Sequence, residues 1–448
     1  MMPFPLSLDS PPQHVGPLPP RCDVVILGGG IIGVMAAYFL AGHGQRVVLC
    51  EKGRIAAEQS SRNWGWIRQQ GRHPAELSMM VEANRLWRDL SDSLGPELGF
   101  RQEGVLYLAE NEGEMADFAA WKAHARVHDL DTRLVPRSEL GRYLQGAQGS
   151  WAGGLITPSD GRAEPWTAVP ALARAAVARG AVLIEGCAVR RLDLAGGRVC
   201  GVQTEQGPIA CDQVLVAGGA WSALFLRAHG LSVPQLSVLA SVAATEPMPE
   251  VFAGNAADNR FAFRRRQDGG YSLAPGFIHD FFIGPDAFRH LRAYLPTLKK
   301  DWRATHFHPA APRGFPDGWT TPRQWQADEV TPFERMRILA PAPNRKALDQ
   351  VRQAFAAAFP ALGLPKLTCA WGGMIDTMPD VVPVIDRDGA LPGLTIATGM
   401  AGHGFGIGPA IGRVLADLMT GRAAGHDLTP FRLARFSDGS PIAPNAAL

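Results

Sequence analysis

Three glycines near the N-terminus have the spacing of a phosphate-binding turn. Gly28, Gly30 and Gly33 follow a short apolar, β-prone run, and the residues after them predict a helix. In such a G-x-G-x-x-G turn, the backbone approaches a pyrophosphate closely and the helix N-terminus faces the phosphates. Glu51 closes the next apolar run, where an acid accepts hydrogen bonds from a ribose hydroxyl. Together these residues predict a dinucleotide site.

The polar stretch 53–78 carries further groups that could do chemistry, and a connection of this length is usually functional. Its hydroxyl and amide side chains can donate hydrogen bonds to phosphate, its two tryptophans can pack on a flat ring, and one arginine can bind an anion. These residues are Ser60, Ser61, Asn63, Trp64, Trp66 and Arg68. The alternative, an ordinary surface loop with scattered arginines, is disfavoured by two tryptophans so close together.

A second glycine-rich loop occupies 399–408, after a predicted strand at 394–398. Pro409 is predicted to open a helix that ends before Gly421, because proline is tolerated in the first turn. A nicotinamide enzyme needs only one such loop, so two indicate a longer cofactor held at both ends. FAD fits: its ADP half would lie on the first loop and its isoalloxazine ring at the second. There, backbone amides and the helix dipole would stabilise negative charge on the reduced ring.

Composition narrows the class of protein. The 448 residues are 46% hydrophobic and 19% charged with a net charge of +2, which predicts a large core in two or three domains and disfavours a nucleic-acid partner. The six cysteines are scattered without a C-x-x-C pair, so neither a metal site nor a disulfide framework is expected, and a cytoplasmic location fits. No apolar run is long enough to span a membrane. The Pro-rich residues 1–20 predict an extended or disordered tail.

The elements that must position these residues alternate between helix and strand. The first and last thirds of the chain have α/β texture, whereas 233–365 reads as a mainly antiparallel sheet with a hairpin at Gly269-Gly270. The basic, aromatic piece 288–300 predicts a solvated helix, with contact to a membrane surface as the alternative. Helices are predicted over 76–94, 112–128, 136–144 and 164–180, a strand pair over 100–109, a strand at 152–156 and four strands within 182–221.

These motifs resemble those of the D-amino-acid-oxidase-type FAD oxidoreductases, the superfamily with glycine oxidase, monomeric sarcosine oxidase and D-amino acid dehydrogenase. The matching stretches are GGGIIG with Glu51, SSRNWG, VLVAGGAW, WGGMIDTMPDVVPVID (371–386) and GMAGHGFGIGPAIG (399–412). The resemblance implies an α/β protein, α+β overall, in which a Rossmann-like FAD-binding domain is interleaved with a substrate domain built on a mainly antiparallel sheet. The implied segments are 21–99, 160–232 and 366–435 for FAD, and 100–159 and 233–365 for substrate.

The resemblance also implies the reaction. It is oxidation of an amino acid or amine (a D-amino, N-substituted or secondary amino acid) by hydride transfer from the α-carbon to flavin N5, giving an imine that hydrolyses. Oxygen or a respiratory electron acceptor would reoxidise the flavin, at the inner face of a membrane in the second case. Two alternatives stay open: a 2-hydroxy acid or opine-type dehydrogenase on the same scaffold, and a non-catalytic subunit that holds FAD.

Residue by residue, the resemblance assigns His403 beside the flavin and Arg68 at the substrate carboxylate. Two usual anchors are absent, because Ile375 and Gly406 stand where relatives have Arg and Lys. We therefore expect Arg68 and Trp66, or Arg264, Arg335 and Arg337 of the substrate domain, to bind substrate. FAD is expected to be noncovalent, with Cys369 as the less favoured attachment site. The expected cofactor residues are Gly28, Gly30, Ile31, Ile32, Gly33, Glu51, Lys52, Ser60, Ser61, Asn63, Trp64, Gly65, Trp66, Val189, Gly218, Trp221, Gly373, Gly402, His403, Gly404, Phe405, Gly406 and Ile407.

Overall fold

The fold is built on two large sheets. The structure is a computed structural model that describes residues 5–276, 279–301 and 305–442. The first sheet has six strands, parallel except at one edge, where the first two strands below run antiparallel. Its strands are nearly continuous apolar runs, as expected for strands covered on both faces. Their order is Val384–Arg387, Leu394–Thr398, Gln213–Val216, Val24–Leu27, Val47–Glu51 and Val182–Glu185.

The second sheet is mixed and mainly antiparallel. Its long strand Leu236–Thr245 pairs with Leu367–Thr377 along its length, so this later strand belongs to the substrate-side sheet although it lies beyond the expected boundary at 366. The other strands follow in the order Thr305–His308, His279–Phe282, Leu236–Thr245, Tyr271–Ala274, Ala262–Arg265, Asn255–Ala257, Val105–Ala109, Gly153–Thr157 and Arg133–Pro136.

Two small sheets complete the strands. Trp66–Ile67 pairs with Gly161–Arg162, and Val189–Ala195, Arg198–Thr204 and Gly207–Ala210 form an antiparallel meander. The α-helices are Ile31–Gly42, Gln59–Arg62, Pro74–Leu94, Glu112–Val127, Pro165–Ala178, Ser222–Arg227, Pro285–Arg289, Leu291–Asp301, Pro332–Arg335, Arg345–Ala358 and Gly404–Met419. The short 3₁₀ helices are Pro96–Leu98, Arg137–Arg142, Gly219–Trp221, Pro360–Leu362, Thr429–Phe431 and Leu433–Phe436.

Most predicted elements are present, with three differences. The last long helix begins at Gly404, so Pro409 lies inside it and does not open it. The stretch 182–221 contains five strands, because its outer two belong to the parallel sheet and its inner three form the meander. Only Val105–Ala109 is a strand within 100–109.

The N-terminal tail is packed where it is described. Leu6 and Ser10 are each 3% exposed, and the backbone amides of Gln13 and His14 donate to the carboxylate of Glu185. Residues 5–20, expected to be extended or disordered, are therefore packed without helix or strand, and residues 1–4 lie outside the described residues. Ordering the tail costs conformational entropy, and its prolines reduce this cost only in part. Burial of apolar side chains and these hydrogen bonds offset the remainder.

Within 5–276, 279–301 and 305–442, no helix is long and apolar enough to cross a bilayer. The helical piece 288–300 exposes Phe288, Leu291 and Leu295.

Candidate active site

A cavity of about 1390 Å³ lies between the two large sheets. One wall contains the carboxyl ends of three parallel strands, at Leu27, Glu51 and Val216, which is where ligands bind in open α/β sheets. The opposite wall is one face of the strand Leu236–Thr245, because side chains two residues apart point to the same side. The side chains on this wall are Leu236, Val238, Ala240 and Val242. The cavity therefore has two parts: a dinucleotide-type cleft at the ends of the parallel strands, and an apolar chamber along the strand Leu236–Thr245.

The first glycine turn leaves no room for side chains. Gly28 has φ +108°, and a Cβ there would lie 2.5 Å from the carbonyl oxygen of Ala217. A Cβ at Gly33 would lie 2.0 Å from the carbonyl oxygen of Gly28, so this glycine lets the helix pack on the turn. Ser60 Oγ accepts a hydrogen bond from the amide of Ile31 at 2.9 Å. The first glycine turn, the start of its helix and Ser60 together form a cradle for a pyrophosphate. The helix N-terminus and its amides face the cavity, as a pyrophosphate requires.

Glu51 is held in place by backbone amides. Its two oxygens accept hydrogen bonds from the amides of Gly29 and Gly53, each at 2.7 Å. Burial raises the pKa of Glu51 to about 7, an effect that Lys52 and the two amides only partly oppose. Ribose hydroxyls that donate to this carboxylate would stabilise its ionised form. The residue therefore fits the adenosine ribose of FAD.

Lys52 and Trp221 form the far wall of the cradle. Lys52 Nζ lies 2.5 Å from Glu58 Oε1 and 4.5 Å from the centre of the Trp221 ring. Trp221 Nε1 donates to the same carboxylate at 3.2 Å. Glu58, which the sequence did not single out, therefore fixes both predicted residues.

The second glycine loop is clamped by a buried acid. Asp376 Oδ2 accepts the amides of Gly399 at 2.7 Å and Met400 at 3.3 Å. Burial raises the pKa of Asp376, and the amide donors act against that rise. Gly402 has φ +78°, and the helix that follows starts at Gly404, so its N-terminus lies in the cavity wall. The clamp gives the loop fixed amides and a helix dipole beside the chamber.

His403 is buried beside a carboxylate. Its Nδ1 lies 3.4 Å from Oε2 of Glu76, whose side chain is fully buried. Burial and the nearby Arg72 lower the pKa of His403 to about 4, although Glu76 acts to raise it. The pKa of Glu76 is itself lowered: burial opposes ionisation, but His403 and Arg72 outweigh it. The imidazole is therefore neutral at pH 7, and a neutral imidazole has one ring nitrogen that can accept a hydrogen bond.

Two guanidinium groups line the cavity near this histidine. Arg68 lies 5.5 Å from the centre of the Tyr107 ring and donates through Nη1 to the carbonyl oxygen of Gln70. Arg72 is 3% exposed and donates through Nε to the carbonyl oxygen of Arg68 at 3.2 Å. Its Nη1 has no hydrogen-bond partner in the part of the chain that the structure describes. Burial and then Arg68 lower the pKa of Arg72 to about 9, so the pair presents concentrated positive charge.

The residues that form the cradle, the clamped loop and the chamber lie within the part of the chain that matches a known family. A family model described as FAD dependent oxidoreductase matches residues 23–418. The chain belongs to this family. The buried glycine turn, Glu51 and the loop at Gly402 fit FAD by their own chemistry, and they would hold its ADP half and its ring.

Relatives and solved structures agree with this membership. Over 95% of its length, the oxidoreductase is 32% identical to an L-amino acid deaminase from Proteus myxofaciens solved with anthranilate, covering 96% of that chain with a TM-score of 0.90. It is 25% identical to sarcosine oxidase subunit beta of Rhizobium meliloti (strain 1021), over 94% of this chain and 89% of the relative. It is 29% identical to mouse (Mus musculus) mitochondrial sarcosine dehydrogenase over 51% of this chain, but spans only 26% of that relative.

Most predicted cofactor residues of the oxidoreductase lie in the cavity wall, and five lie behind it. The exceptions are Gly33, Ser61, Gly65, Gly406 and Ile407. Gly406 accepts Trp87 Nε1 through its carbonyl oxygen at 2.9 Å, so it supports the loop from outside. Those in the wall are Gly28, Gly30, Ile31, Ile32, Glu51, Lys52, Ser60, Asn63, Trp64, Trp66, Val189, Gly218, Trp221, Gly373, Gly402, His403, Gly404 and Phe405.

The three arginines expected from the substrate domain lie elsewhere. Arg264 is fully buried and pairs with Glu164 at 2.9 Å. Arg337 makes a two-pronged pair with Glu205, and Arg335 is exposed outside the cavity wall. Acids distant in sequence therefore occupy two of the three, and none of the three lies in the cavity wall; their role as carboxylate anchors stays a prediction that this geometry does not support.

The chamber also contains groups that the sequence reasoning missed. These groups are Arg72 and Tyr107, which line it beside Ile375, the position where the resemblance expects an Arg; Cys369 lies outside its wall. An arginine four residues after Arg68 was the available signal for Arg72, but only burial distinguishes it from a surface residue. Across the described parts of the chain, no group of three or more His, Cys, Asp or Glu could hold a metal ion.

Proposed function

We propose that this oxidoreductase oxidises the C–N bond of an α-amino acid with a sizeable apolar side chain, with free or N-substituted amine. The observation that carries the proposal is the pair Arg68 and Arg72 beside a neutral His403, in an apolar chamber that continues the FAD cradle.

The guanidinium groups of the chamber suit a carboxylate. Arg68 and Arg72 bring two positive charges to its wall, and the buried acids Glu76 and Asp160 interact with them from behind the wall. Nη1 of Arg72, which has no partner among the described residues, is a donor ready for a substrate carboxylate. Guanidinium–carboxylate contacts orient a substrate strongly because the fork fixes direction as well as distance.

His403 would act on the amine. An amine must be neutral to lose hydride from its α-carbon, and a neutral imidazole accepts a hydrogen bond from N–H without adding positive charge beside it. Bound FAD supplies the hydride acceptor, at flavin N5. The imine product leaves the chamber and hydrolyses in water.

The walls set the size of the side chain. The apolar side chains of Leu236, Val238, Val242 and Ile375 face the chamber together with the rings of Trp66 and Tyr107. Burial of a large apolar side chain against them would contribute about 1.5–3 kcal/mol of binding. The similarity to an amino acid deaminase solved with anthranilate, an aromatic carboxylate, supports the same substrate class.

The test is a substrate panel read by loss of flavin absorbance without oxygen. We expect bleaching by leucine, methionine or phenylalanine of one chirality or by their N-methyl derivatives, and much slower bleaching by glycine. Readmission of oxygen, or of a quinone, then shows which acceptor restores the absorbance. Bleaching by 2-hydroxy acids alone would replace the proposal with the dehydrogenase alternative, and no bleaching by any substrate would favour a non-catalytic subunit.

A further inference from the structure

A second, smaller crevice of about 280 Å³ lies beside the strand pair that carries Trp66. It shares no lining residue with the FAD and substrate cavity. Its position is set by Arg162, the register partner of Trp66 in the two-stranded sheet. The crevice is lined by Gly99, Arg101, Arg162, Glu250, Arg265, Arg266, Gln267 and Gly269.

Arg162 is the buried member of this group. It is 8% exposed, and its Nε donates to the carbonyl oxygen of Ala253 at 2.9 Å. Its Nη1 is buried without a hydrogen-bond partner among the described residues. Burial and the neighbouring Arg264 lower the pKa of Arg162 to about 10. A buried guanidinium nitrogen without an acceptor is costly, so the side chain is suited to an anion that supplies one.

The other three arginines differ in how far their charge is balanced. Arg266 pairs with Asp268 at 2.6 Å, and Arg265 lies 3.7 Å from the half-exposed Glu250. Arg101 is exposed and donates to the carbonyl oxygen of Phe100. Within the described ranges, neither Arg101 nor Arg162 has a carboxylate within 4.0 Å. Two guanidinium groups of the crevice are therefore ion-paired and two are not, and Glu164 and Glu103 act on Arg162 only from beyond this distance.

We propose that this crevice is a binding site for an oxyanion of the phosphate class. A phosphate group carries a charge of about −1.5 to −2 at pH 7 and three acceptor oxygens, which matches the guanidinium groups of Arg101 and Arg162. Guanidinium forks bind phosphate with two parallel hydrogen bonds, and the volume admits a group the size of pyrophosphate. The site is separate from the pyrophosphate cradle of FAD and lies one strand away from the substrate chamber.

The test uses the FAD-loaded protein, so that the cradle is filled, and titrates pyrophosphate calorimetrically at constant ionic strength. We expect saturable binding of one pyrophosphate per chain. Arg101→Ala and Arg162→Met should each weaken binding about tenfold, because each removes a hydrogen bond to a charged group. Glu250→Gln should tighten binding, since it removes the one carboxylate in the wall and releases Arg265.

Arg142→Ala is the matched control, because this exposed arginine pairs with Glu139 and lies outside the crevice. Its affinity should equal that of the unchanged protein. If Arg162→Met does not fold, the exposed Arg101 and Glu250 still test the site, since their changes must move affinity in opposite directions. Absence of saturable binding, or equal affinities in all variants, would overturn the proposal. Succinate binding as tightly as pyrophosphate would overturn the assignment to phosphate.

Discussion

Arg72 offers the sharpest test of the chamber, because only the tertiary structure marks it out. We expect Arg72→Met to lower kcat/KM for the best amino acid substrate and to leave FAD binding intact. The side chain is buried, and its Nη1 has no hydrogen-bond partner among the described residues. A lost hydrogen bond to a charged group costs about 1.5–3 kcal/mol, which corresponds to a loss of about 10- to 150-fold in kcat/KM.

The assay is anaerobic flavin reduction followed by stopped flow, with substrate concentration varied to separate binding from reduction. The variant should fold, because a pKa lowered to about 9 means that the buried charge of Arg72 costs stability. Arg88→Met is the control: this arginine is exposed on the adjoining helix Pro74–Leu94. An amine that resembles the substrate but lacks the carboxylate should react equally with both variants. A kcat/KM within threefold of the unchanged protein would refute the anchor role of Arg72.

Three further outcomes are expected. His403→Asn should slow flavin reduction. It should also reduce the loss of unfolding free energy between pH 6.5 and about 4, because in this range an unfolded histidine takes up a proton that folded His403 does not. Urea unfolding at both ends of this range measures that loss. FAD affinity of the apoprotein, measured by fluorescence quenching, should rise with pH through about 7 as Glu51 ionises, and Glu51→Gln should abolish this dependence; an unchanged profile would remove Glu51 from the ribose site. Asp376→Asn should slow flavin reduction more than it lowers FAD occupancy, because it loosens the amides of Gly399 and Met400; unaltered reduction would show that the clamp is dispensable.

Local patterns predicted the parts of the site that depend on short stretches of chain. The turn at Gly28 and Gly33 was predictable because the spacing of the glycines reflects the local backbone path: a Cβ at Gly33 would meet the carbonyl oxygen of Gly28, five residues earlier. The start of the last helix was not, because Asp376, on a strand of the other sheet, holds the preceding loop so that the helix begins at Gly404 and not at Pro409. The preference of proline for the first turn of a helix contains no information about a contact with a residue so far away in the sequence.

Charged residues show the same division. The sequence suggested Arg264 and Arg337 as substrate anchors, but Glu164 and Glu205 neutralise them from distant positions. Arg68 was predicted from its place after the tryptophans, and it does line the chamber. Whether an arginine is available to a ligand depends on its partners in space, which no local pattern contains.

The sequence by itself determined the family, the FAD cradle and the presence of a flavin loop, because glycine spacing and chain order encode these directly. Only the tertiary structure decided the chemistry of the chamber. It buried His403 near Arg72 and thereby set a neutral imidazole. It also left Nη1 of Arg72 without a hydrogen-bond partner among the described residues, while it paired Arg264 and Arg337 with acids. Burial and pairing set charge states, and both arise from contacts between residues far apart in the chain.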